Sequence, residues 1–285
     1  MFDLGLRSLS LFFRDRTAAG LSFLAEFILA GLYFLFIRNR LVGGFSQLED
    51  AELLMDAWMA CGLLGVTPLT AAMGAYGVLV EDRARRIDRD FGVSPLRKGS
   101  LAGGYLLGAV AVGLLASFVI LLGAETYIAV RYGVRLGSGR MARVCGILLL
   151  AAMSDAAQML LAASLLSSGA ALAACCTVVG SLVGFLTGIY LPVGSMPETV
   201  RWVVTWFPPS HGAALLRQTL LEPLLSGSFG GAETQAARQF EEYLGVRYVW
   251  RGARVSPEAS VRILLAAGAV CLVLAVWRLS RPQRT

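Results

Sequence analysis

The sequence predicts an all-α polytopic membrane protein with six transmembrane helices, an N-terminal interfacial helix and re-entrant outer helices between the fifth and sixth spans. Composition is the first observation: 56% of the 285 residues are hydrophobic and only 15% are charged, whereas soluble domains are about a quarter charged. The second observation is a series of apolar runs, each long enough to cross a hydrocarbon core about 30 Å thick. The third is a segment before the last run that proline interrupts repeatedly. These observations exclude a soluble globular domain.

The apolar runs are continuous rather than alternating, so they predict helices instead of strands. They cover residues 21–37, 57–80, 101–122, 144–166, 170–191 and 261–279 of a single domain, 1–285. The net charge is +6, but the basic residues flank the runs, which favours membrane lipid over nucleic acid as a partner. Arg and Lys are concentrated beside the termini and in the 81–100 loop, which predicts cytoplasmic termini. The Arg-rich turn at 131–143 is the exception to this pattern.

The N-terminal stretch FDLGLRSLSLFFRDR places leucine and phenylalanine among a few charges. This pattern predicts an amphipathic helix lying in the membrane interface before the first span.

The densest charge in the chain lies between the second and third spans, where ten of the 18 residues from 81 to 98 are charged. Asp82 with Arg86, and Arg86 with Asp90, form opposite-charge pairs at helical spacing, and Pro95 ends the helix. A solvated loop that only fixes topology needs no acidic residues and no aromatic knob such as Phe91. The cluster therefore favours a short helix that docks a soluble partner, with a plain topology anchor as the alternative. The docking candidates are Asp82, Arg83, Arg86, Asp90, Phe91 and Pro95.

The segment GIYLPVGSMPETVRWVVTWFPPSHGAALLRQTLL, residues 188–221, follows the fifth span. Its four prolines preclude one continuous helix, which leaves two short apolar helices, 198–207 and 212–221. Trp202 and Trp206 are typical of a membrane interface. The segment is therefore predicted to dip into the membrane and return, within an outer segment 192–260.

Within the fifth span, Gly180, Gly184 and Gly188 recur every fourth residue. This spacing is typical of close helix packing in lipid. It predicts a packing face, either within the chain or between two copies.

Ionisable residues inside spans are costly and mark functional candidates. Glu26 lies in the first span and Asp155 in the fourth, with Gln158 one turn from Asp155. Asp155 either lines a substrate path or bonds to Thr67 or Thr70 of the second span. The candidate path residues are Glu26, Thr67, Thr70, Asp155 and Gln158.

No catalytic constellation emerges from the sequence. The single His211 is distant from all five cysteines, which lie within or beside apolar runs, so neither a metal site nor a disulfide framework is predicted. A phosphate-binding loop of the GxxxxGK[ST] kind is also missing from the sequence. We therefore expect a chain that is not an enzyme, binds no cofactor and leaves ATP hydrolysis to another protein.

The order of these features resembles type V ABC exporter permeases, the ABC type-two family. LFFRDRTAAGLSF is similar to the family's interfacial connecting helix, and VEDRARRIDRDFGVSPLRKGSLAGGYLLG is similar to its cytoplasmic coupling loop after the second span. The 188–221 segment is similar to the stretch from the fifth span into the re-entrant outer helices. Its positions that match the family pattern are Pro192, Pro197, Pro208 and Arg217.

The resemblance implies a permease subunit in a bacterial cytoplasmic (inner) membrane. It implies two copies of a separate ABC ATPase that carry ATP and Mg²⁺ and dock on the 81–99 loop. A second permease copy would complete a homodimer around a path near the first, second and fifth spans. The implied activity is export of a drug, as in multidrug transporters, or of a lipid, glycan or peptide.

Two other classes stay open at the level of sequence. An ion-coupled secondary transporter would use Asp155 or Glu26 as its coupling site. A membrane enzyme acting on lipid-linked substrates would need clustered acids or histidine near an interface, for which the 222–260 region offers only Glu233, Glu241 and Glu242.

Overall fold

The computed structural model describes residues 2–14, 16–45, 48, 50–84, 98–228, 235–250 and 252–280. Its helices are α1 (Phe2–Arg14), α2 (Arg16–Leu32), α3 (Arg38–Gly44), α4 (Ala51–Ala75), α5 (Gly77–Ala84), α6 (Lys98–Tyr132), α7 (Ser138–Leu165), α8 (Gly169–Leu186), α9 (Glu198–Trp206), α10 (Pro208–Ser228), α11 (Gln235–Tyr243) and α12 (Pro257–Ser280). A π-helical turn, Tyr33–Ile37, joins α2 to α3, and a short 3-10 turn covers Val193–Ser195. The strands β1 (Val249–Trp250) and β2 (Ala253–Arg254) form an antiparallel hairpin.

Six stretches of the described chain are long and apolar enough to cross a membrane, and each overlaps one predicted run. They are Glu26–Gly44, Ala51–Ala84, Gly99–Tyr132, Ser138–Leu165, Gly169–Leu186 and Pro257–Ser280. The prediction of an all-α polytopic membrane protein is confirmed. The first span continues past its predicted end at residue 37. This extension is possible because the Arg38 side chain is bound by Asp56 and Glu52 of α4.

The second span is the centre of the bundle. It packs against α6, α7, α10 and α2, and 78% of its apolar window is buried. Its sequence is apolar on all sides, which suits a helix that other helices surround. In contrast, only 6% of the first span's window and 11% of the fifth's are buried. Those two spans therefore present most of their apolar surface outwards from the single chain.

The N-terminal helix α1 lies along the first part of α6. A Cβ atom added at Gly108 would lie 2.7 Å from the Cβ of Ser8, so only glycine allows this close approach. Phe12 is buried while Leu6 and Phe13 are exposed. The predicted helix is therefore present and amphipathic, and its placement in a membrane interface stays a prediction.

The segment after the fifth span forms two separate helices, as its prolines predict. Helix α10 begins at Pro208, earlier than the predicted 212, because proline is tolerated in the first helical turn, where the missing N–H has no intrahelical partner. A Cβ atom added at Gly65 would lie 2.6 Å from the Cβ of Ala213. Helix α10 therefore contacts the middle of the second span and packs between α4, α7 and α12, as expected of a re-entrant helix.

The predicted glycine face of the fifth span is not a continuous packing surface within the chain. Helix α8 ends at Leu186, and Gly188 lies beyond it with φ +70°. A Cβ atom at Gly180 would meet nothing, whereas one at Gly184 would collide with the ring of Tyr190. The three regularly spaced glycines therefore have different surroundings. Gly180 has no neighbour within the chain, Gly184 leaves room for the Tyr190 ring, and Gly188 lies where the helix has ended.

Arg217 of α10 is fully buried and connects the outer segment to the bundle. Its guanidinium donates hydrogen bonds to the carbonyl oxygens of Gly188 (3.1 Å) and Gly245 (3.4 Å). It also lies 5.4 Å from the centre of the Trp58 ring, a cation–π distance. Gly188 follows α8 and Gly245 follows α11, and both adopt positive φ, the conformation in which glycine commonly ends a helix. Two helix ends thus present carbonyl groups to one cation.

We expect Arg217→Leu to lower the free energy of unfolding by about 2–5 kcal/mol, because each buried carbonyl left without a donor costs about 1–3 kcal/mol. Arg217→Lys should recover part of this loss, since an ammonium group is a single point donor rather than a planar fork. The measurement is chemical or thermal unfolding of the protein in detergent. The control is Arg201→Leu, which removes an exposed arginine of α9. Equal stability of the Arg217→Leu and Arg201→Leu variants would contradict this role.

Candidate functional site

The predicted docking loop begins where the second span ends. Helix α5 ends at Ala84, and the docking candidates Arg86, Asp90, Phe91 and Pro95 lie outside the described residues. The structure therefore bears on the base of the loop, where Asp82 and Arg83 make contacts within the chain.

Asp82 is buried, with 5% of its surface exposed. Its carboxylate accepts hydrogen bonds from the Arg7 guanidinium at 2.8 and 3.1 Å and from the Tyr105 hydroxyl at 2.6 Å. The carboxylate raises the pKa of Arg7, so the guanidinium stays charged. We name this cluster of Arg7, Asp82 and Tyr105 the loop-base node. It joins α1 and α6 to the point where the charged loop leaves the second span.

Arg83 turns towards the C-terminal end of α7. It donates hydrogen bonds to the carbonyl oxygens of Ala163 (3.2 Å) and Ser164 (3.1 Å), where the helix dipole favours a cation. Arg278 of α12 donates to the same Ser164 carbonyl at 3.3 Å. Asp82 and Arg83 were predicted to contact a partner directly. Docking by these two residues stays a prediction; within the chain, their described contacts anchor the base of the loop to the bundle.

The candidate path residues separate into two sites. In the first, the Thr70 hydroxyl donates to Glu26 Oε1 at 3.0 Å, which joins the first and second spans. The other carboxylate oxygen of Glu26 is buried and has no hydrogen-bond partner among the described residues. Thr67 donates instead to the Leu63 carbonyl of its own helix.

Asp155 and Gln158 form the second site, one turn apart on α7. Asp155 is fully buried, and its nearest hydrogen-bond donor is the Gln158 amide at 3.5 Å from Oδ1. The prediction that Asp155 bonds to Thr67 or Thr70 is wrong, because both hydroxyl groups point to other acceptors. Oδ2 of Asp155 has no partner among the described residues.

A third polar cluster was missed by the sequence analysis. Asp56 is buried at the start of α4 and accepts hydrogen bonds from the hydroxyls of Tyr33, Tyr127 and Tyr132 at 3.1, 3.0 and 2.5 Å. Arg38 donates to it as well, at 2.9 Å. Asp56 directly precedes the predicted second span, residues 57–80, and was not among the candidate residues. The available signal was the combination of Arg38, Tyr127 and Tyr132 at the ends of neighbouring spans.

These clusters bind and position helices rather than assemble a reaction centre. In the described part of the chain, no group of three or more His, Cys, Asp or Glu side chains has the arrangement of a metal site. The chemistry that the described residues offer is charge pairing and hydrogen bonding between helices. Polar contacts between helices can break and re-form as discrete pairs, which is compatible with helices that shift as rigid bodies.

We expect Asp82→Asn to loosen α1 from the bundle and to lower the free energy of unfolding by about 1–2 kcal/mol. This is less than for a fully buried pair, because the Arg7 side chain is 35% exposed and water screens its charge. The measurement is hydrogen exchange of the α1 amides together with thermal unfolding. Asp3→Asn removes an exposed carboxylate of α1 and is the control. Unchanged exchange in α1 of the Asp82→Asn variant would refute the anchoring role.

Comparison with known proteins identifies the family. A family model described as "ABC-2 type transporter" matches residues 4–221, well over half of the chain. The matched region includes the loop-base node, the Glu26–Thr70 contact, Asp155 and Arg217. No curated protein matches the chain. The six apolar spans and this match together make the chain a multi-pass membrane protein that belongs to the ABC-2 type transporter family, as a permease subunit.

Proposed function

We propose that this permease subunit couples to a separate ABC ATPase through its 81–99 loop and moves a drug, lipid, glycan or peptide outwards. The observation that carries the proposal is the loop-base node. The base of a charged loop is held by a partly buried ion pair between Arg7 and Asp82 and by the contact of Arg83 with the end of α7. Membership of the ABC-2 family supports an ATP-binding partner in general.

The contacts at the loop base would transmit a displacement of the loop to several helices. Displacement of the loop acts on α5, and through the node on α1 and α6. Through Arg83 it also acts on the end of α7. Helices joined by such polar contacts and by close packing would move as rigid bodies, so ATP-driven closure of two ATPase subunits would tilt several spans together. ATP and Mg²⁺ would be bound by the ATPase.

We propose a homodimer of permeases in a bacterial cytoplasmic membrane, with both termini in the cytoplasm. The weak burial of the first and fifth spans supports a second copy against them. Glu26 lies on the first span, and one of its carboxylate oxygens lacks a hydrogen-bond partner in the described part of the chain, which supports a place on the substrate path.

We expect the double variant Arg86→Glu plus Asp90→Arg to abolish co-purification of the ATPase in mild detergent, because it reverses the charge pattern of the loop while keeping its net charge. ATPase activity in the membrane should fall in parallel. The control is Glu198→Arg plus Arg201→Glu, the same exchange on the exposed face of α9. Retention of the ATPase by the loop variant, at the level of this control, would refute docking through residues 81–99.

The ion-coupled alternative is supported by one observation: Oδ2 of Asp155 is buried and has no hydrogen-bond partner among the described residues. Asp155→Asn keeps the size of the side chain and removes its capacity to carry a proton. Under the proposed mechanism, transport should stay dependent on ATP and keep at least about half of its rate, a barrier change below about 0.5 kcal/mol. The measurement is substrate efflux with ATP depletion and with an uncoupler as separate arms. Loss of a proton-gradient-driven flux in this variant, without any ATP dependence, would favour the ion-coupled transporter.

A further inference from the structure

A groove lies between α4, α6 and α10, at the end of the bundle opposite the 81–100 loop. Its walls are mostly apolar and include Leu53 and Leu64 of α4, Leu121 of α6 and Leu224 of α10. The groove is open at its mouth to the surroundings of the bundle. Neither the proposed docking nor the candidate path uses this groove.

The mouth of the groove is positively charged. Arg135 and Arg140 both line it and are exposed, and they belong to the Arg-rich turn that departs from the expected topology pattern. Glu125 lines the groove too, but its Oε1 accepts a hydrogen bond from the Leu136 backbone N–H at 2.7 Å. The carboxylate therefore shapes the turn and offsets only part of the cationic charge.

Helix α7 begins at this mouth and adds to its positive charge. Helix α7 starts at Ser138, and its first turn contains no acidic residue. The N-terminal end of a helix carries a partial positive charge that favours anions, yet Arg140 and Arg143 occupy the first two turns here. Cations at this position are unfavourable by themselves. An anionic group bound at the mouth would relieve this repulsion.

The helical rise along α4 and α5 indicates where the groove lies across the membrane and how far it extends inwards. From Asp82 to Leu53, helices α4 and α5 extend over about 43 Å at a rise of about 1.5 Å per residue. A bilayer with its headgroups is about 40–45 Å thick. With the Arg7–Asp82 ion pair at one headgroup level, the groove mouth lies at the other. From Leu53 to Leu64 the groove then extends about 16 Å inwards, about half of a 30 Å hydrocarbon core.

We propose that the groove binds one anionic phospholipid from the membrane leaflet on that side. The phosphate group would accept charge-assisted hydrogen bonds from Arg135 and Arg140, and an acyl chain would occupy the apolar walls. The depth of the groove matches the tail region of a single leaflet, and the charge at its mouth matches a phosphate headgroup. Lipid binding would explain why arginines are concentrated in this turn, which the positive-inside rule does not.

The test is native mass spectrometry of the delipidated protein with added phosphatidylglycerol or with phosphatidylcholine of the same acyl chains. We expect one phosphatidylglycerol per chain, and an occupancy at least about tenfold lower for Arg135→Gln plus Arg140→Gln, since charge-assisted contacts to phosphate are strong. Ala124→Phe fills the groove without changing charge and should reduce binding of phosphatidylglycerol to a similar extent.

Two variants serve as matched controls. Arg143→Gln removes one of the neighbouring positive charges from an exposed residue of α7 that does not line the groove, and Val130→Phe adds a ring to α6 at a position that is 83% exposed. Both should keep the lipid, and thermal unfolding should show that all variants are folded. Equal retention of both lipids by the wild-type protein would overturn the proposal, as would equal losses in the test and control variants. The test needs no ATPase, so its failure would leave the proposed docking through residues 81–99 unaffected.

Discussion

A buried guanidinium without an acidic partner is the constraint on which the outer half of this protein depends. Among the described residues, Arg217 is met by carbonyl oxygens and the Trp58 ring. Burying a cation is costly unless hydrogen bonds offset its desolvation; here two N–H groups donate to carbonyl oxygens, whereas Nε has no partner among the described residues. Helix α10 can therefore enter the bundle only if α8 and α11 both end where their glycines turn carbonyl groups towards it. Val193 then fills the space beside Gly188 and Gly245, where a Cβ atom would collide with it.

The second span organises the remaining polar contacts along its length. Asp56 near one end binds the first and third spans, Thr70 in the middle binds Glu26, and Asp82 near the other end binds α1 and the third span. The first span is thus attached at two levels, although little of its apolar window is covered. A change in its tilt would require one of these polar contacts to break. This arrangement favours switching between discrete positions over gradual bending.

Charge is concentrated at opposite ends of the same bundle and serves different purposes there. At the loop end, Asp82 is paired with Arg7, and Arg83 donates to the carbonyl groups at the end of α7. At the opposite end, Arg38 is neutralised by Asp56 and Glu52, whereas Arg135 and Arg140 face an apolar groove. The first pattern stabilises helix positions. The second leaves positive charge at a bilayer depth where anionic headgroups lie.

The sequence by itself determined the membrane class, the six spans, the division of residues 188–221 into two helices and the family resemblance. These properties depend on local chemistry: apolar length decides whether a helix spans, and proline interrupts a helix wherever it lies. It also located Arg217, but not what this residue binds. The roles of Asp56, Asp82 and the glycines of the fifth span were decided by tertiary structure alone. Arg7 and Asp82 are 75 residues apart, and no periodic pattern encodes such a pair. Helix packing had to bring these groups together before burial made their contacts strong.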